Sequence, residues 1–135
     1  MKMSLPWTLG VAFVVWLVTT PAAAHHSSAA FDVEHPIMLT GTVTEWYWAN
    51  PHCLLQFDVT DASGKVTGHW VAETSNPRDM TNQGWSKASL KPGDRMTISV
   101  QPARSGKPVG RVSQVVLEGG KTLVAYVGTR TAAGR

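Results

Sequence analysis

With 135 residues, 43% of them hydrophobic, and a single cysteine, the chain suits one domain with one modest core and no internal disulfide. The formal charge of +3 is spread thinly, and no run of Lys or Arg interleaved with aromatics makes a phosphate-tracking stripe. Nucleic acid is therefore not an expected partner.

The first 24 residues read as a signal peptide. Lys2 gives a positive start, Leu5 to Val18 is apolar apart from Pro6, Thr8 and Gly10, and Thr19 to Ala24 is small and turn-prone. The apolar run is shorter than the ~20 residues of a comfortable membrane span. Cleavage after Ala24 has alanine at both recognition positions; cleavage after Ala22 is the second register. The expected product is periplasmic or secreted and not stably inserted in a membrane.

Residues 25–36 have no period and read as an arm, with Phe31 as its one candidate anchor. Ile37, Leu39 and Val43 then alternate with threonines in the period-two pattern of a half-buried strand. At Trp46 and Trp48 the pattern slips to the parity of the threonines, which calls for a bulge near Thr44 and Glu45 or for burial of both faces. Asn50-Pro51-His52 makes a corner, and Cys53, Leu55, Phe57 and Val59 restart the alternation as a second strand.

Asp61 to Gly64 is a turn into a third strand, Lys65 to Glu73, with Val66, Gly68, Trp70 and Ala72 on one face. Ser75 or Asn76 caps a short helix that has Pro77 in its first turn and Asp79 at its positive end. Gly84 ends that helix, and Trp85 follows where a contact back onto it is common. Leu90-Lys91-Pro92-Gly93-Asp94 turns the chain into a fourth strand with Met96, Ile98 and Val100 inward. Val109 to Leu117 is a fifth, Glu118 to Lys121 a hairpin turn, and Thr122 to Val127 a sixth.

This order predicts an all-β fold, a small five- to six-stranded barrel resembling the oligonucleotide/oligosaccharide-binding (OB) fold, over residues 37–127. Its expected core includes Leu39, Val43, Leu55, Phe57, Trp70, Met96, Ile98 and Val100. The last eight residues, 128–135, read as a solvated tail.

The A-H-H-S stretch after the leader, L-T-G-T-V-T-E-W followed by N-P-H, then N-P-x-x-M-x-x-x-G-W, and finally L-K-P-G-D together resemble a family of small exported bacterial proteins classed as a domain of unknown function. The resemblance runs from about His25 to Leu123. It implies an exported single-domain β protein and carries over no catalytic residue.

Two groups of residues could carry chemistry. If the mature chain starts at His25, its α-amine and ring can chelate one ion, a pairing that favours square-planar copper(II). If it starts at Ala23, His25 becomes the third residue, as in amino-terminal copper and nickel motifs. A third nitrogen would come from His26 or from His52 at the corner. The competing reading of His52 is a ring-to-backbone hydrogen bond that caps the turn.

The second group is Trp46, Tyr47 and Trp48, where one ring must point away from the other two and could serve as a platform for a planar ligand. No metal-protease helix, paired C-x-x-C or calcium loop is present. Cys53 has the parity of a buried hydrophobe, and Glu45, Asp58 and Glu73 have no spacing that selects them as an acid-base pair. The sequence thus points to a non-enzymatic binding or accessory protein, with copper as the concrete ligand. The alternative is a barrel that takes a small organic ligand or a partner protein on its aromatic face.

Overall fold

The structure is a computed structural model describing residues 29–125. The signal peptide, His25, His26 and the terminal tail lie outside the described residues. The elements are β1 (Ile37–Tyr47), β2 (Leu54–Thr60), β3 (Val66–Glu73), α1 (Pro77–Asn82), β4 (Arg95–Pro102), β5 (Val109–Leu117) and β6 (Thr122–Val124).

Antiparallel pairing joins β3, β2, β1, β4 and β5 in that spatial order, and a parallel pairing of Val71–Glu73 with Val109–Arg111 closes the barrel. The result is a five-stranded closed barrel with β6 added along the upper part of β5 and one short helix between β3 and β4. Closure removes the free edges that a small open sheet would present.

The slip in the alternation of β1 is a β-bulge. Val43 pairs with Phe57 and Glu45 with Gln56, so Thr44 is the extra residue. The inward parity changes there, which turns Trp46 and Trp48 toward the interior and Tyr47 outward. The Leu90-to-Asp94 turn fixes the same point from the other side: the amide of Val43 donates to the Asp94 carbonyl, and the Gly93 amide donates to the Val43 carbonyl. Gly93 has φ +93°, which a side chain would strain.

Glycine at position 41 has a different cause. A Cβ there would collide with the backbone carbonyl of Asp58 on the paired strand β2, so the two backbones approach this closely only because that atom is missing.

Val43, Leu55, Phe57, Met96, Ile98 and Val100 are buried as expected, joined by Ala72, Val112 and Val115. Leu39 and Trp70 are corrections: both are only half-buried and pack on the margin of the core. Trp70 stands opposite Phe57 across β2 and β3, on the inward face, with the two rings stacked at a centroid separation of 6.4 Å. Strand β3 starts at Val66 rather than Lys65, and Val66, at the strand end, is exposed.

Helix α1 starts on Asn76, whose side chain accepts from the Asp79 amide at 3.0 Å. It ends in a Schellman arrangement: Gly84 N–H donates to Thr81 and Trp85 N–H to Met80. That turn drops Met80 and Trp85 into the core beneath β6.

Candidate functional site

The corner between β1 and β2 carries His52, the candidate ligand singled out by sequence that the described residues include. The Asn50-Pro51 peptide is cis. Beyond it the β2–β3 ladder extends into the corner, with Cys53 N–H donating to Ser75 at 3.0 Å and Thr74 N–H to Cys53 at 2.9 Å. His52 and Cys53 therefore point to opposite sides, as adjacent strand residues must.

His52 is exposed, and its Nδ1 lies 2.8 Å from the Thr74 carbonyl. A carbonyl only accepts, so Nδ1 carries the proton. In the neutral ring the lone pair then sits on Nε2, the nitrogen free to bind a metal. The ring-to-backbone bond expected of a structural histidine and the preparation of a ligand nitrogen are here the same contact.

Cys53 is fully buried. Burial pushes its thiol pKa up; a backbone hydrogen bond from Ala49 and the Thr74 hydroxyl offset part of that rise. Such a thiol is a small hydrophobe rather than a nucleophile.

The three consecutive aromatics divide as follows. Trp46 lies between Trp48 and Trp85, with ring centroids 5.8 Å and 5.7 Å away, and its Nε1 donates to the Ser86 carbonyl at 3.2 Å. Trp46 and Trp48 are half-buried and pack against the core, of which Trp85 is a buried member. Tyr47 is the exposed member, at 42%. It shares the outer face of the sheet with Leu54, and the exposed Val71 and Val109 stand side by side across the closing seam.

Sequence reasoning missed a covered polar seam. Phe31 bridges to Ala103 and lays its ring over the Arg111 guanidinium at 4.9 Å. Arg111 in turn lies 3.7 Å from the Glu73 carboxylate. Phe31, Arg111 and the neighbouring Gln101 are all buried, so the arm covers this part of the barrel wall. The only signal was an aromatic in an otherwise aperiodic arm. Also missed was the exposed pair of His69 Nδ1 and Asp58 Oδ1, which face each other across the β2–β3 hairpin.

Among the described residues, no three His, Cys, Asp or Glu side chains come together as a metal site, and no helix is long and apolar enough to cross a membrane. Of the expected copper set, His52 alone lies among the described residues. It offers one nitrogen.

No curated protein and no solved structure matches the chain. A family model does match, over residues 14–113 of the 135, and takes in the arm, the corner, the helix and the first four strands. The protein belongs to that family, a family of unknown function (DUF6152).

Proposed function

We propose that the chain is exported, loses its leader ahead of His25, and acts as a non-enzymatic binding protein that holds copper(II) through the amine and ring of His25, with His26 or His52 as a further nitrogen. The observation that supports this reading is the His52 contact: Nδ1 bonded to Thr74 and the ring exposed, which leaves Nε2 as the donor. Neutral imidazole and amine nitrogens suit copper(II) among the first-row divalent ions. Bound there, copper would supply a Lewis-acidic, one-electron redox centre.

The two candidates for the further nitrogen make different demands on the arm. His25 precedes the Phe31 anchor by six positions. A role for His52 requires the arm to bring His25 to the corner between β1 and β2, whereas the adjacent His26 requires no such approach. Electron paramagnetic resonance of the copper-loaded processed protein tests both. A nitrogen-coordinated spectrum that loses one nitrogen in His52→Ala supports His52 as the further ligand; an unchanged spectrum in that variant supports His26. A spectrum without nitrogen coupling contradicts the proposal.

A second reading, capture of a small organic ligand or partner protein on the aromatic face, is favoured by the outward Tyr47 beside Leu54. Trp46 and Trp48 would support that face from behind rather than form it. Tyr47→Ala should then abolish capture while Trp46→Ala acts mainly through stability.

A further inference from the structure

On the side of the barrel away from the corner, the start of β4 and the β5–β6 hairpin enclose a cleft of about 360 Å³. Thr40 and Thr97 lie directly opposite each other on its wall, and Leu117 contributes apolar surface. A neighbouring hollow of about 340 Å³ shares Arg95, Leu117 and Glu118 with it and adds Lys121. The two form one groove over Arg95, and either volume is at the small end of ligand sites.

The charges in this groove are unequally satisfied. Lys91 is paired with Asp94. Arg95, Glu118 and Lys121 form no ion pair among the described residues, although Arg95 and Glu118 are joined through their backbones, Glu118 N–H donating to the Arg95 carbonyl at 3.0 Å. Two open cations and one open carboxylate therefore stand around a small cleft that also presents two hydroxyls.

We propose that this groove binds a small molecule with the complementary set, two carboxylates and one ammonium, which is the chemistry of an acidic α-amino acid. Arg95 takes one carboxylate in its planar fork, Lys121 takes the other as a point charge, and Glu118 takes the ammonium. Thr40 and Thr97 complete the carboxylate's hydrogen bonds, and the methylenes lie on Leu117. The site shares no residue with the proposed copper set.

The test is calorimetry on chelator-treated protein with L-glutamate, L-glutamine and glutarate, repeated on Arg95→Ala, Glu118→Gln and Lys121→Ala. All three positions are exposed, so the variants should fold, and thermal melting checks that they do. Expected is saturable L-glutamate binding that weakens about ten-fold or more in Arg95→Ala and Lys121→Ala. L-Glutamine, lacking the second carboxylate, and glutarate, lacking the ammonium, should bind more weakly to the unaltered protein. In Glu118→Gln the preference for L-glutamate over glutarate should vanish. Absence of saturable binding, equal binding of all three probes, or indifference to the variants would overturn the proposal. His25→Ala and His52→Ala should leave this binding intact, so the groove and the copper reading fail separately.

Discussion

The Nε1 of Trp85 donates to the Val124 carbonyl at 2.9 Å, tying the segment after the helix to the last strand. Trp85 is 2% exposed and packs in the same cluster as Leu123 and Ala125, so one side chain both fills the core and caps the sheet extension. Trp85→Ala should cost ~3 to 5 kcal/mol, the range for a buried aromatic. Trp85→Phe should cost less but still lose the hydrogen bond, a net ~1 kcal/mol. Urea unfolding of the three proteins checks the order; a Trp85→Ala protein of unchanged stability would contradict it.

Gly41 gives a second stability prediction. Because an added Cβ meets a backbone carbonyl rather than a movable side-chain tip, β1 and β2 must separate to admit it. Gly41→Ala should destabilise by roughly 1 to 3 kcal/mol, the usual cost of overpacking. Alanine is otherwise the better strand residue, so a neutral or stabilising result would mean that the strands are not held this closely.

Acid should weaken the turn that pins the bulge. The Lys91 ammonium bonded to Asp94, and then the Lys91 amide, hold the Asp94 carboxyl below its ordinary 3.8, against a partial rise from burial. A carboxyl whose folded pKa is depressed contributes its stability above its unfolded pKa and loses it as pH falls through the folded value. The unfolding midpoint should hold steady down to about pH 5 and decline below about pH 4. Asp94→Asn should show a smaller decline than the unaltered protein; identical acid profiles would remove Asp94 from the account.

Cys53 should resist modification. A fully buried thiol with a raised pKa reacts with a thiol reagent only when the barrel opens. Native protein should be labelled at least 100-fold more slowly than urea-unfolded protein, on the order expected for protection by global stability. Labelling at comparable rates would place the cysteine at the surface.

Much of this fold was legible because local rules agreed with one another. Alternation marked β1 through β4, the Asn76-Pro77 and Gly84 signals bounded the helix, and the parity slip left two readings, of which the bulge near Thr44 and Glu45 is the one the register shows. Alternation puts Leu39 and Trp70 in the core because it gives the direction of a side chain and not its depth; near a barrel rim an inward ring can still reach water. The role of Gly41 was hidden because its cause is a carbonyl on another strand. Phe31 could be picked out, but its cover over Arg111 could not, since nothing local pairs an arm aromatic with an arginine 80 positions later. At the site, the opposed directions of His52 and Cys53 followed from strand geometry, whereas the Thr74 carbonyl that orients the ring depends on where β3 ends.

The reading of export and processing makes its own prediction. Intact mass of the protein recovered outside the cytoplasm should correspond to a chain starting at His25, or at Ala23 in the second register. Retention of Met1 to Val18 would rule out both the localisation and the amine ligand.

Copper(II) calorimetry on the correctly processed protein, compared with a variant carrying a longer histidine-free leader ahead of His25, tests the central claim most directly. An added leader turns the terminal amine into an amide and breaks the chelate, while leaving every side-chain imidazole in place. The account predicts that affinity falls about 100-fold or more in the leader variant and in His25→Ala, at or beyond the upper end of the roughly 10- to 100-fold lost with a mere outer-shell partner of a metal ligand, and by a lesser factor in His52→Ala. Equal, weak binding by all four proteins would contradict it.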